Sequence, residues 1–299
     1  MRPARYGPFP YSPIVDRPKR RWSNGARLAL WIVPNIEFFA LDEQVPKEAG
    51  GGGPAPDVMQ WAMRDYGNRV GVFRLMQVLD DHKVRGTVAL NSEICDEHPR
   101  IVESCLEREW ELMGHNESNS RRLNAFSEDE QAAIIKRSLD TIVRHTGRPV
   151  DGWLSAGLTE SWHTLDQLCD HGVRYVADWI NDDQPYPIRL DDGREIISVP
   201  YAGNINDKVA FDLHHFTADQ FGDAIRAQFD VLWREGADRA RVMCIALHPY
   251  LIGAPYRIDA LNKVLRHILA YDEVWCATGS EIAAATHDLW GYEMTEMLP

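Results

Sequence analysis

Apolar and polar positions along the chain switch repeatedly between two periods. Leu28-Ala29-Leu30-Trp31-Ile32-Val33 is an unbroken apolar run ending at Pro34-Asn35, the pattern of a strand buried on both faces. Val70, Val72, Phe73, Met76, Val78 and Leu79 then recur at roughly helical spacing, and Gly86 to Asn91 reads as a strand. Helix 99–108 precedes a short strand at Glu111-Leu112-Met113. Ser127 with Glu130 forms a capping box that opens a helix to about His145, and Gly147 stops it. Strands at 152–154, 175–177 and 196–199 follow, with a helix over 160–169. A helix at 217–235 leads into the strongest strand, 241–247, and helix 258–270, strand 273–276 and helix 279–286 finish the pattern. Strands and helices alternate with no composition break, which predicts an α/β fold: a distorted (β/α) barrel with seven or eight parallel strands. A doubly wound open sheet is the other topology compatible with this order.

Two segments fall outside the alternation. Residues 1–26 are rich in Pro and Arg and lack periodicity, so they read as an N-terminal arm on a single barrel domain spanning 27–299. Residues 40–65, with the run Gly50-Gly51-Gly52-Gly53-Pro54, read as a long loop of the functional or disordered kind. No Gly-Lys-Ser/Thr follows those glycines, so they are not a phosphate loop.

Composition narrows the class. The 299 residues are 44% apolar, with ten Trp, ten Tyr and nine Phe, which argues for a large packed core. A net charge of −13 argues against nucleic acid or an anionic membrane as partner. No stretch is apolar enough to span a bilayer, and the first residues lack the apolar region of a secretory signal. Five scattered Cys with no Cys-x-x-Cys read as reduced thiols, so the expected location is cytoplasmic.

In a parallel barrel the residues just past the C-terminal strand ends face the active site. Here those ends carry Asn35 and Glu37, Asn91, His115 to Asn119, Asp178 to Asp183, Tyr201 with Asn206-Asp207, and His248. Acid, amide and imidazole groups converging on one rim point to a polar active site. Taken singly, each has a plainer reading: a hydrogen-bonded His at a strand end, or an Asx turn at Asn181-Asp182-Asp183 and Asn206-Asp207. Gly-x-Ser-x-Gly, His-Glu-x-x-His and Gly-x-Gly-x-x-Gly are absent, which leaves a serine hydrolase, a zincin or a dinucleotide enzyme unsupported.

The order Asn35-x-Glu37, Gly114-His115-x3-Asn119, Arg148-Pro149-x2-Gly152-Trp153, Asp178-Trp179 and Leu247-His248 resembles the polysaccharide deacetylase (NodB-homology) family. Tyr66 to Gly71, Asp178 to Tyr186, Asn206-Asp207 and Leu247 to Arg257 resemble its branch of metal-independent allantoinases and cyclic-amide hydrolases. The resemblance implies a hydrolase of carbon–nitrogen (non-peptide) bonds. In the family's metal-dependent members the first motif supplies a base and a metal carboxylate, His-x3-His completes the metal site, and a late His protonates the leaving amine. Carried over, the base position falls on Asn35, which cannot take a proton. The metal positions fall on Glu37, His115 and Asn119, the last a poor zinc ligand. The acid falls on His248 unchanged. Zinc on Glu37, His115 and Asn119 and a metal-free site both stay open.

The resulting expectations are concrete. Glu37, His115 and His248 are the candidate catalytic residues, with His115 holding either the oxyanion or the metal. Asn35, Asn119 and Asn206 are expected to orient the substrate amide, with Trp153, Trp179, Asp183 and Tyr201 also against the substrate. The leading function is hydrolysis of a small or cyclic amide by activated water. A metal-dependent de-N-acetylase of a soluble amino sugar and a catalytically inactive barrel that binds a ligand are the alternatives. The arm and the family suggest a homo-oligomer, a tetramer or dimer. Glu37, Asp178, Asp182, Asp183 and Asp207 gathered at one rim would favour a neutral or cationic amide.

Overall fold

The first apolar run becomes the central strand. In the computed structural model, which describes residues 5–47 and 50–290, β1 spans Leu28–Ile36 and every residue of it is buried. The first four residues of the expected arm, Glu48 and Ala49 of the expected loop, and the last nine residues of the expected barrel domain lie outside the described ranges. On one side of β1, β8 (Arg241–Leu247) runs parallel in register from Leu28 opposite Arg241 to Pro34 opposite Leu247. On the other side two strands share β1: β9 (Val274–Cys276) pairs with Leu28–Leu30, and β2 (Thr87–Leu90) with Asn35 and Ile36. From β2 the sheet continues through β3 (Glu111–Gly114), β4 (Gly152–Trp153), β5 (Tyr175–Val176) and β7 (Glu195–Ser198), all parallel.

β6 (Tyr186–Arg189) was not anticipated; it lies antiparallel outside β7 as the edge of the sheet. The segment Gln184-Pro185-Tyr186-Pro187 carries two prolines and so reads as loop. An edge strand tolerates Pro187 because one of its sides needs no ladder donor. Eight parallel strands and one antiparallel strand thus make a curled, distorted (β/α) barrel.

Irregular chain closes the seam. Ala246 N–H donates to Ile205 O at 3.0 Å, Val242 N–H donates to Asp183 O at 2.8 Å, and Asn206 bridges to Ala246 in parallel. The segments after β5 and β7 therefore suture β8 to the far edge.

Helices pack outside. α1 (Val58–Tyr66) runs through a π-helical turn, Gly67–Gly71, into α2 (Val72–Asp81). α3 (Glu93–Glu97), α4 (Pro99–Glu107), α5 (Glu128–Thr146), α6 (Thr164–Asp170), α7 (Ala218–Glu235), α8 (Ile258–Ile268) and α9 (Gly279–Trp290) follow. The capping box forms as expected: Glu130 accepts from Ser127 N–H at 2.9 Å, and Gly147 ends α5 at φ +66°. The expected loop at 40–65 is corrected by α1, which begins at an Asp57 cap accepting from Gln60 N–H at 3.1 Å. Its apolar side is carried by Trp61, packed on Phe39 and Val45, too few positions for periodicity to reveal after a glycine run.

The arm lies along its own barrel. Trp22 is buried with its indole N–H on Arg241 O, Arg17 bonds Asp182 and Gln184, and Phe9 packs edge-on against Trp179 and Tyr186. No helix among the described residues is long and apolar enough to cross a membrane. All five cysteines are free thiols.

Candidate active site

Register sets the site. Glu37 leaves the end of β1, His115 the end of β3 and His248 the end of β8, and all three are buried at the floor of a cleft of about 750 Å³. The seam brings in a fourth group. Because Asn206 lies beside Ala246, the next residue, Asp207, meets the start of the turn after β8. Its carboxylate, fully buried, accepts from His248 N–H at 2.8 Å and Ile252 N–H at 3.2 Å, and holds His248 Nδ1 at 2.7 Å. His248 Nδ1 therefore donates its proton to Asp207, and Nε2 faces Glu37 Oε1 at 3.6 Å.

This chain of charges fixes protonation. Burial disfavours a charged His248, but the Asp207 and Glu37 carboxylates outweigh it and lift the imidazole to about 9. Burial pushes Asp207 up, opposed by His248 and by the two backbone N–H groups that its carboxylate accepts from. Burial also works against an ionised Glu37, yet His248, with smaller help from His115 and Lys208, holds it below the usual carboxylate range. His115 is the opposite case: burial pushes it down, so its ring is neutral at pH 7. Its Nδ1 lies 2.6 Å from Leu154 O and must donate there, which leaves Nε2 as a bare lone pair. A neutral His115 in this tautomer cannot donate to an oxyanion, and that expected role is withdrawn.

The asparagines line the cleft and also bond within the protein. Asn35 donates to Val33 O at 3.1 Å and accepts from Tyr201 Oη at 3.0 Å. Asn119 donates to Glu37 Oε1 and accepts from Asn91 Nδ2 at 3.1 Å. Asn206 Oδ1 accepts from Lys208 N–H at 3.0 Å. Each lines the cleft, as does Tyr201, with part of its hydrogen-bonding capacity used by the protein. Asn119 and Asn91 act together: Asn91 also donates to His115 O and accepts from Phe38 N–H at 2.8 Å, tying the ends of β1, β2 and β3.

Three expected site residues lie elsewhere. Trp153 is fully buried beneath Gly114, with its indole N–H on Ser155 Oγ at 3.0 Å; β4 points it into the core. Trp179 is turned away to pack on Phe9 of the arm. Asp183 follows β5 to the seam and lines a separate cleft beneath the arm.

Three further residues have no assigned role in the sequence pattern. Asp207 reads there as an acid of the rim or half of an Asx-like pair, because its partner His248 is far away in sequence; it lies fully buried behind that histidine. Tyr250 lines the cleft with a buried hydroxyl that has no partner among the described residues, two residues past His248. Arg122 lines it from the segment before α5, where nothing in the periodicity marks it.

The glycines of Tyr66-Gly67-Asn68-Arg69-Val70-Gly71 explain that motif. A Cβ on Gly67 or Gly71 would strike the backbone of Tyr250 or Pro249, so only glycine lets the π-helical turn seat against the turn that carries His248. Asn68 then donates to Glu37 O at 3.0 Å.

The three positions that would hold a metal do not fit one. Asn119 turns its NH₂ donor, not its oxygen, toward Glu37, and the imidazolium of His248 lies against the same carboxylate oxygen. Glu37 and His115 are the remaining ligands, and among the described residues no three His, Cys, Asp or Glu are grouped to hold a cation.

The polysaccharide deacetylase family model matches residues 53–176. A Schizosaccharomyces pombe protein named "Putative polysaccharide deacetylase" is 29% identical over 241 residues, 74% of each chain. The crystal structure of a probable polysaccharide deacetylase from Pseudomonas aeruginosa PAO1 superposes with a TM-score of 0.81 at 24% identity, covering 89% of this chain and 93% of that one. The crystal structure of PuuE allantoinase superposes at 0.80 and 23%, covering 89% and 92%. The fold, the order of the strand-end residues and these likenesses agree: residues 53–176 match the polysaccharide deacetylase (NodB-homology) model, and the described chain shares the distorted (β/α) barrel of these structures.

Proposed function

We propose that the cleft hydrolyses the carbon–nitrogen bond of a small amide, cyclic or open, with Glu37 as general base and His248 as general acid. The observation that carries this is the Asp207–His248–Glu37 line: an ionised carboxylate facing a protonated imidazole across 3.6 Å, wider than a hydrogen bond and open to the cleft. Glu37 takes a proton from water as its oxygen attacks the carbonyl carbon, and His115 Nε2 accepts the water's other hydrogen bond. His248 gives its Nε2 proton to the departing nitrogen as the C–N bond breaks. Glu37, now protonated, faces a neutral His248, and transfer of that proton between them resets the site. The Tyr250 hydroxyl is assigned as donor to the developing oxyanion, since it is a buried donor with no protein acceptor.

The decisive experiment is a turnover screen of allantoin, hydantoins, cyclic imides and N-acetyl sugars, followed by acid or ammonia release. Hydrolysis of at least one, lost in Glu37→Gln, is expected; none, with tight binding of one, would favour a ligand-binding barrel. Tyr250→Phe should fold normally and lower kcat by about 10²-fold with little change in KM, the signature of an oxyanion donor. A KM effect alone would move Tyr250 to ground-state binding. Dialysis against dipicolinate should leave turnover within about twofold, because no step uses a Lewis acid. Loss restored by zinc would overturn the metal-free assignment.

A further inference from the structure

Acidic residues on this rim would select against anions, but the strand ends do not deliver them there. Asp182 is bound to Arg17 and Asp183 lies under the arm, both in the separate cleft. Asp178 caps the Ser155 N–H at 2.7 Å, and it does not line the active cleft. Of the five acids, Glu37 and Asp207 remain, and both lean on His248. The cleft wall is instead cationic. Arg64 is anchored on Gln60 O and Oε1 at 2.8 and 2.9 Å, and Lys208 is paired with Asp212 at 2.8 Å.

Arg122 differs from both. Its guanidinium has no hydrogen-bonding or ion-pair partner among the described residues, and its Nε is buried with nothing to donate to. Its place is nonetheless built. A Cβ on Gly157 would fall on the guanidinium, and Gly157 sits at φ +69°, where other residues are strained. The left-handed glycine leaves a seat against which the guanidinium rests, next to Ser155 and Leu158 of the cleft wall. Its charge is felt at His115, where it disfavours the protonated ring, so it lies within electrostatic reach of the reacting groups. An arginine that is always charged, seated in a wall and lacking a counter-ion is completed by a planar anion.

We infer that the amide hydrolysed in this cleft carries a carboxylate, and that Arg122 binds it. The inference rests on the amide-hydrolase reading above and adds the substrate's charge to it. It reverses the preference for a neutral or cationic amide that the acidic strand ends implied.

The test uses matched pairs that differ only in charge: hydantoin-5-acetate and its carboxamide, and N-acetyl-β-alanine and its carboxamide. Binding is measured by calorimetry and turnover by kcat/KM, on the wild type, Arg122→Gln and Arg122→Lys. The wild type should bind the carboxylate of a pair at least about tenfold more tightly than its carboxamide, and Arg122→Gln should erase that difference. For any pair turned over, the ratio of kcat/KM between its members should collapse by about 10²-fold in Arg122→Gln and only in part in Arg122→Lys. Equal binding of both members, or a preference that survives Arg122→Gln, would overturn the inference. So would an equal loss on both members, which would place Arg122 at the reacting carbonyl instead. If no amide is hydrolysed by the wild type, the reading of the cleft as a hydrolase falls, and calorimetry alone still decides whether Arg122 holds a carboxylate.

Discussion

Glu37→Gln should lower kcat/KM by roughly 10³-fold while leaving the fold intact. Glutamine keeps the shape, and its carbonyl oxygen can still accept from Asn119 Nδ2. What it removes is, among the described residues, the one cleft-floor carboxylate able to take a proton from water, since Asn35 is a neutral amide already bound at both ends. The pH profile gives an independent reading. Glu37 sits below its usual 4.5 because the His248 imidazolium outweighs the effect of burial, so the acid limb of the wild-type profile should lie below that value. Activity needs the ionised form, so it is lost as pH falls through this depressed pKa. In Glu37→Gln, His248 keeps only Asp207 as counter-charge, and the basic limb should move down from about 9. If the variant retains activity within about threefold of the wild type, Glu37 is not the base. The proton acceptor would then be His115, whose Nε2 lone pair also faces the cleft and whose acid limb would lie below 6.5.

The sequence made β1 and β8 legible because both are buried on both faces, and unbroken apolar runs have no other common explanation. β6 was not, because the prolines that disqualify a central strand are harmless on an edge. The site divides in the same way. Glu37, His115 and His248 each follow on a strand that the pattern locates, so strand ends alone predict that they meet in one cleft, as they do. Asp207 follows an isolated bridge, outside any named strand, that exists only because the seam closes there. Arg122 and Tyr250 are visible only once the wall is assembled, since what marks them is the lack of a partner. The aromatic misplacements share one cause. A two-residue strand such as β4 leaves the side of each side chain undetermined by periodicity, and Trp153 fell to the core. The charge of the rim is illegible for a similar reason: Arg17 of the arm reaches back to claim Asp182, a contact that no strand-end pattern shows.

Asp207→Asn should approach the cost of His248→Ala, a loss of roughly 10²–10⁴-fold in kcat/KM, although Asp207 lies behind the histidine rather than on the substrate. The two backbone N–H groups of His248 and Ile252 both point at Asp207 Oδ2. An asparagine there keeps its carbonyl oxygen on them and so presents its NH₂ to His248 Nδ1. That nitrogen must then accept, which leaves the ring neutral with its single proton on Nε2. A neutral imidazole is far too weak an acid to protonate a departing amide nitrogen, so the geometry survives and the acid is lost. This separates a positioning role from a structural one. The basic limb should move down from about 9 in Asp207→Asn, because the carboxylate that chiefly opposes burial at His248 is gone. In His248→Ala the acid limb should instead rise, since Glu37 loses its largest stabilising charge and burial is then opposed only by the smaller effects of His115 and Lys208. The double variant tests whether the pair is one device. If Asp207 works only through His248, adding Asp207→Asn to His248→Ala should cost almost nothing further, whereas additive losses would show a separate task for Asp207. A basic limb that stays at about 9 in Asp207→Asn would remove Asp207 from the mechanism, and with it the reason this barrel brings the segment after β7 against β8 at that register.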